Sequence, residues 1–207
     1  MSQYLEVHPT HPQARLVSRA ADIVRRGGVI AYPTDSCYAL GARIGDKDAM
    51  VRLRRIRGVD ERHHFTLMCR DLSEIALYAR VDNAQYRLLR ACTPGSYTFI
   101  LEATREVPRR LMHPRRKTIG LRIPEHPVAL ALLEEVREPL LSTTLILPGD
   151  EEPLTDGASI RERLEHEVDV ILDAGSCGVV PTTVIDLTTE VPEIVRKGKG
   201  PVGPFMH

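Results

Sequence analysis

The sequence predicts a single α/β (α+β) domain, built on a twisted mixed β-sheet with flanking helices. Short apolar runs of strand length alternate along the chain with segments of helical periodicity, an order that is typical of α/β proteins. The 207 residues suffice for one large domain, and no repeat or low-complexity linker divides them. We therefore expect one domain over residues 1–207, with its core at about residues 12–198.

Helices are predicted where apolar side chains recur on one face or where a capping residue precedes them. Residues 11–26 place Leu16, Ala20 and Val24 on one face. Asp46 is a suitable N-cap for a second helix, whose later turns are rich in arginine. Ser159 and Glu162, three residues apart, resemble a capping box and predict a helix to about residue 167. The remaining predicted helices cover residues 71–79, 83–92 and 127–136.

Strands are predicted from short apolar runs bounded by turn residues. The basic, proline-broken segment 105–117 is expected to be a surface loop, and the glycine- and proline-rich C-terminal tail is expected to be loose. The predicted strands cover residues 4–7, 29–32, 65–69, 97–103, 118–123, 140–147, 168–172, 183–187 and 193–196.

Residues 27–41, GGVIAYPTDSCYALG, predict a helix stop, a buried strand and a polar turn. Two glycines end the first helix, and Pro33 ends the strand because it cannot donate a ladder hydrogen bond. Thr34, Asp35 and Ser36 then lie at the carboxyl end of a strand, where ligands usually bind in α/β sheets. Ordinary turn capping explains the same residues equally well, so both interpretations stay open.

Composition excludes several classes of protein. Hydrophobic residues make up 43% of the chain, but no apolar stretch is long enough for a membrane helix, and no signal core precedes the domain. We expect a cytoplasmic protein without a membrane partner. The formal net charge of zero argues against a general polyanion binder. The four cysteines form no CxxC pair, so reduced structural thiols are expected, although Cys37 in the polar turn could be reactive.

Small hydroxyl residues and arginines recur near the predicted strand ends. If the sheet brings these ends together, they form a cationic pocket that suits phosphate and a small carboxylate, because the arginine fork matches both groups. Scattered polar residues at strand ends are the alternative. The hydroxyl residues are Thr34, Ser36, Thr118, Ser142, Thr144, Thr182 and Thr183, and the arginines are Arg55, Arg57, Arg122 and Arg196.

The sequence resembles the YrdC-like family, which includes threonylcarbamoyl-AMP synthase. The resemblance rests on GGVIAYPTDSCYALG, TPGSYTFIL, TIGLRIPEHP, PLLSTT, PTTVIDLT and IVRKG, in that order over nearly the whole chain. FTLMCRDLSE and RLLRACTPGSYTFIL favour the YciO branch of the family. The resemblance implies a twisted sheet with a basic concave cavity. It also implies a role in joining threonine, bicarbonate and ATP for tRNA modification, or in binding double-stranded RNA.

The resemblance also implies roles for individual residues. Thr34 matches the residue that contacts threonine in the turn after the first buried strand. Thr118 and Arg122 match strand residues that contact the nucleotide and the threonine carboxylate. Thr183 and Arg196 match later ligand contacts.

Four further positions match two motifs to which the resemblance assigns catalysis. Arg57 matches the arginine of a K-x-R motif, and Arg55 replaces its lysine. Ser142 matches the serine of an S-x-N motif, and Thr144 replaces its asparagine. His63 occupies a position where many synthases have lysine. Arginine replaces the compact ammonium group of lysine by a bulky planar guanidinium, and threonine lacks the amide group of asparagine. These replacements favour binding over catalysis.

Two functions therefore stand as alternatives. The first is a cationic cavity that binds ATP, AMP, double-stranded RNA or tRNA with weak or absent synthase activity. The second is an active L-threonylcarbamoyladenylate synthase that takes threonine and bicarbonate, with Mg²⁺ accompanying ATP. In neither case do we expect a tightly bound cofactor or a metal held by the protein alone, because the histidines show no metal-ligand spacing.

Overall fold

The strands join into one mixed sheet in the computed structural model, which describes residues 1–206. Within these residues ten strands follow the order β1-β8-β2-β3-β7-β4-β6-β5-β9-β10, and the predicted α/β fold is confirmed. The strands are β1 (Gln3–Glu6), β2 (Ile30–Tyr32), β3 (Ala39–Arg43), β4 (Thr66–Met68), β5 (Tyr97–Glu102), β6 (Thr118–Arg122), β7 (Leu140–Thr144), β8 (Val170–Asp173), β9 (Thr183–Asp186) and β10 (Glu193–Arg196).

Six α-helices flank this sheet within the described residues. The predicted N-cap of the second helix is confirmed, since the Asp46 side chain accepts a hydrogen bond from the Ala49 amide at 2.9 Å. The last helix begins earlier than predicted, because Asp156 and not Ser159 is its N-cap; the Asp156 carboxylate accepts from the Ser159 amide at 2.8 Å. The helices are α1 (Ala14–Arg25), α2 (Lys47–Arg57), α3 (Leu72–Tyr78), α4 (Asn83–Cys92), α5 (Pro127–Val136) and α6 (Gly157–Leu164).

Strand β3 lies where the sequence predicted only the end of a polar turn. It pairs antiparallel with β2 on one side and with β7 on the other. Its residues, ALGAR, carry little strand signal, because alanine and glycine are poor strand formers. Packing explains Gly41: a Cβ there would lie 2.9 Å from the Tyr32 ring, so only glycine lets that ring lie against the strand.

The C-terminal tail is not loose, contrary to the prediction. Phe205 is buried in the core, and its ring centroid lies 5.6 Å from that of Tyr97 and 6.2 Å from that of Phe99. Leu5 is also buried, so the core extends beyond residues 12–198 at both ends. The predicted domain ends at His207, which lies outside the described residues. No helix among residues 1–206 combines the length and apolar character that a membrane span requires.

The two faces of the sheet are covered differently. One face packs against α2, α3, α4 and α6 along the sheet, with Leu40, Leu67 and Leu121 in its core. On the other face, α1 and α5 cover the half that contains β1, β8, β2 and β3, where Tyr32 and Val170 are buried. The half of this face formed by β4, β6, β5 and β9 is not covered by α1 or α5, and this leaves space for a site.

Candidate functional site

A cavity of about 660 Å³ opens over the uncovered half of the sheet. Because side chains alternate between the faces of a strand, every second residue of β4, β5 and β6 points into this cavity, while the residues between them enter the opposite core. Most of these cavity residues are small or polar, whereas the residues of the covered half of the same face are apolar. They include Thr66, Thr98, Ile100, Thr118, Gly120 and Arg122.

The cavity is cationic. Four arginines and three histidines line it, whereas Glu151 is the one carboxylate among the lining residues of the described chain. This local charge contrasts with the net charge of zero for the whole protein. An anionic ligand is therefore favoured inside the cavity, because low-dielectric walls strengthen the field of like charges in a cleft. The lining cations are Arg57, Arg116, Arg122 and Arg196, and the histidines are His63, His64 and His113.

Arg122 lies at the buried end of the cavity, with only 6% of its side chain exposed. Its Nη2 donates to Asp35, and its Nη1 donates to Ser36 Oγ at 3.0 Å. Asp35 is fixed in turn by Ser96 Oγ at 2.5 Å and by the Glu125 amide at 3.1 Å. Within residues 1–206 the Arg122 Nε atom is buried and has no hydrogen-bond partner.

Arg196 lies across the cavity and is held by the chain that precedes β9. Its Nε and Nη2 both donate to the Thr182 carbonyl, at 3.1 and 2.9 Å. Thr182 Oγ1 also contacts Thr98 Oγ1 at 2.8 Å, which joins this arginine to the threonine row on the cavity floor. Burial lowers the pKa of the Arg196 guanidinium from its ordinary value. An anion at this place would offset the cost of burying the charge.

The opposite rim carries Arg57 and His63, which meet at Thr143. Arg57 Nε donates to Thr143 Oγ1 at 3.3 Å, and its Nη1 donates to the Ile146 carbonyl. His63 Nε2 lies 3.1 Å from the same hydroxyl. Burial lowers the pKa of both the Arg57 guanidinium and the His63 imidazole.

Six of the nine residues to which the resemblance assigns roles line this cavity, while three lie elsewhere. Arg55 does not line the cavity: its side chain is 66% exposed and pairs with Glu167 at 2.8 Å. Thr34 is buried beneath the turn, where its hydroxyl donates to the Cys37 carbonyl at 2.6 Å. Thr183 donates to the Gly200 carbonyl at 2.5 Å. The six that line the cavity are Arg57, Thr118, Arg122, Ser142, Thr144 and Arg196.

Several cavity residues were not predicted from the sequence. Arg116 and His113 belong to the basic loop, and His64 lies in the segment between α2 and β4. Thr66 and Thr98 carried a usable signal, because each is a threonine between apolar or aromatic residues within the predicted strands 65–69 and 97–103. Cys37 also lines the cavity, but burial raises the pKa of its thiol, which disfavours the reactive thiolate.

The fold and the site define an α/β protein with an open mixed sheet and a cationic ligand cavity. A family model described as "Telomere recombination" and covering the Sua5, YciO and YrdC proteins matches residues 22–198. The chain belongs to this Sua5/YciO/YrdC family, as its resemblance led us to expect.

Relatives place the chain near the YciO branch. The uncharacterized protein YciO of Escherichia coli strain K12 is 56% identical over 206 residues, which covers 100% of both chains. The threonylcarbamoyl-AMP synthase of Chromobacterium violaceum is 35% identical over 182 residues, covering 86% of this chain and 92% of its own.

Solved structures agree with this placement. The crystal structure of E. coli YciO matches with a TM-score of 0.95 over 100% of both chains. Pyrococcus abyssi Sua5 complexed with L-threonine matches with a TM-score of 0.88 at 26% identity. That match covers 95% of this chain and 58% of the Sua5 chain.

Proposed function

We propose that the cavity binds a nucleotide, ATP or AMP, chiefly through its phosphates. The observation that carries this proposal is that Arg57 and Arg196 line one cavity without a carboxylate partner among residues 1–206, beside Arg122 and Arg116, which pair with Asp35 and Asp186. Arginine is the side chain best suited to phosphate, because its planar fork donates two parallel hydrogen bonds.

The size and the walls of the cavity also suit a nucleotide. Its volume of about 660 Å³ lies within the range of about 300–1,000 Å³ that is usual for small-molecule sites. Met68, Ile100 and Val184 offer apolar surface for a base, while Thr98 and Thr118 offer hydroxyls for a ribose or phosphate. The volume is that of a site for one small molecule, so double-stranded RNA would lie at the opening of the cavity. RNA or tRNA would therefore place one terminal or unpaired nucleotide in the cavity.

Threonylcarbamoyl-AMP synthesis is the second candidate function. It is favoured by the synthase at 35% identity and by the fold shared with a Sua5 that was crystallised with L-threonine. In this chain Arg122 Nε, together with Ser36, would face the threonine carboxylate, and Thr144 would take the place of the amide. Mg²⁺ would enter with the ATP phosphates, near Glu151, since Mg²⁺ is usually held by phosphates and one or two carboxylates.

Titration calorimetry with AMP, and with ATP and Mg²⁺, at 0.15 M salt tests the nucleotide site. Arg57→Ala removes a cavity arginine, and Arg55→Ala is its matched control because it removes an exposed arginine from the same helix. A hydrogen bond to a charged group contributes about 1.5–3 kcal/mol, so Arg57→Ala should weaken binding by about 10- to 100-fold. Arg55→Ala should change it by less than about twofold. No binding to the wild type, or equal losses in both variants, would contradict the proposal.

Pyrophosphate release separates the two functions. An active synthase releases pyrophosphate only when threonine, bicarbonate, ATP and Mg²⁺ are all present. Because Arg55 lies outside the cavity, Arg55→Lys should leave this rate unchanged, and any gain in an Arg55→Lys/Thr144→Asn variant should come from Thr144→Asn alone. Nucleotide binding without threonine-dependent release would support the binding function and count against the synthase.

A further inference from the structure

One hydroxyl group connects an arginine and a histidine at the cavity rim. Arg57 Nε can only donate, so Thr143 Oγ1 accepts its hydrogen bond, at 3.3 Å. The single hydrogen of Thr143 can then point to His63 Nε2, which lies 3.1 Å away. In this arrangement His63 is a neutral acceptor at Nε2, and its proton is on Nδ1.

The surroundings hold His63 in this neutral form. Burial is the largest cause of the lowered pKa of His63. Arg57, His64 and Arg54 lower this pKa further, whereas Asp60 raises it. These groups come from α2 and from the loop that contains His63, and the β7 residue that His63 contacts is the uncharged Thr143.

The ring of His63 has a fixed position. It packs edge-on against Phe65, with the centroids 5.2 Å apart and the planes at 79°. The imidazole therefore remains beside Thr143 and at the cavity, and a change in its charge acts on whatever the cavity holds.

We propose that His63 takes up a proton when a dianionic phosphate binds beside Arg57, so that the cavity selects a phosphomonoester over a phosphodiester. This inference rests on the proposed nucleotide function. A dianion offsets the repulsion between Arg57 and an imidazolium, whereas the single charge of a diester offsets less of it. The protonated Nε2–H donates to Thr143 Oγ1, and this releases the Thr143 hydrogen to point toward the phosphate. The proton comes from solvent, and no covalent bond to the ligand forms or breaks.

Histidine NMR tests the proton uptake directly. The Cε1–H signal of His63, assigned by its loss in His63→Gln, is titrated with pH in the absence and presence of saturating AMP. Its midpoint should lie below the ordinary value of about 6.5 without ligand and should rise by about one unit or more with AMP. The exposed His166, which does not line the cavity, is an internal control whose Cε1–H chemical shift at a fixed pH should not change when AMP is added. A His63 midpoint that AMP leaves unchanged would overturn the proposal.

Ligand choice and affinity give a second readout. AMP and its 3′,5′-cyclic diester differ in phosphate charge. The wild type should therefore bind AMP about tenfold or more tightly than the cyclic diester at pH 6. His63→Gln should lose most of that preference. Thr143→Val keeps the shape of the side chain but removes the hydroxyl, and it should lose the preference as well. If AMP binds and neither variant alters the preference, this inference fails while the nucleotide site stands. If AMP does not bind at all, the proposed function fails first.

Discussion

Replacing Asp35 by asparagine tests whether the ion pair at the buried end of the cavity stabilises the fold. Asp35 accepts hydrogen bonds from Arg122, Ser96 and the Glu125 amide, and its side chain is 10% exposed. Asparagine keeps one oxygen for Arg122 but removes the charge. Breaking a buried ion pair costs about 3–5 kcal/mol, because the remaining charge stays buried. Since one acceptor survives, we expect a loss near the lower end, about 3 kcal/mol.

Urea unfolding at pH 7.5 measures this loss, with the denaturant slope checked for constancy. For a protein of this size each kcal/mol lowers the melting temperature by about 2–4 °C, so the variant should melt about 6–12 °C below the wild type. Glu167→Gln is the matched control, because it breaks the exposed pair with Arg55 and should cost less than about 1 kcal/mol. Equal and small losses in the two variants would refute the reasoning.

An added anion extends the same experiment. Arg122 lines the cavity, so inorganic phosphate can take the place of the lost carboxylate charge. A ligand that binds only the folded state stabilises it by RT ln(1 + [L]/Kd). Phosphate should therefore raise the melting temperature of Asp35→Asn more than that of the wild type. The same increase in both proteins would mean that Arg122 is not accessible to an anion.

Three further predictions concern stability. Phe205→Ala should lower the free energy of unfolding in urea by about 3–5 kcal/mol, the usual cost for a buried phenylalanine; a loss below about 1 kcal/mol would contradict its place in the core. Gly58→Ala should lower it by about 1 kcal/mol or more, because Gly58 has φ +63° and its added Cβ would lie 2.5 Å from Pro148; an unchanged thermal melt would argue against this turn. The pKa of His63 is lowered in the folded state, so the unfolded state binds its proton first, and stability should fall as pH drops below about 6.5. His63→Gln should reduce that pH dependence, and an identical pH profile would exclude the contribution.

The sequence predicted most elements of the fold, since long periodic helices and apolar strands carry their own signal. Helix α5 is the clearest case, with the predicted bounds of 127–136 confirmed. Strand β3 was not predicted, because alanine and glycine carry little strand signal and because Gly41 is required by the Tyr32 ring on the neighbouring strand. The burial of Phe205 likewise depends on partners about 100 residues away, a relation that local sequence does not contain.

The spacing of Arg55 and Arg57 alone could have predicted that Arg55 does not reach the cavity. Arg55 and Arg57 lie two residues apart, and residues at i and i+2 of a helix do not face the same side. Arg52 and Arg55, three apart, do share a side, and they pair with Asp169 and Glu167. One arginine of the matched motif therefore supports the fold through exposed ion pairs, while the other reaches the cavity.

Strand β7 shows how one run of residues serves both halves of the sheet. Leu140 packs in the cluster beneath α1 and α5, and Thr144, on the same face, lines the cavity. Ser142 lies between them: its hydroxyl donates to the Leu40 carbonyl at 3.1 Å, which leaves Tyr32 as the donor in the 2.7 Å bond that joins their oxygens. Because the Ser142 hydrogen is committed to Leu40, this serine can offer a ligand only an acceptor. Donation to an anion from this face of the strand therefore falls to Thr144, and the residues on this face of β7 change from apolar to hydroxyl where the covering helices end.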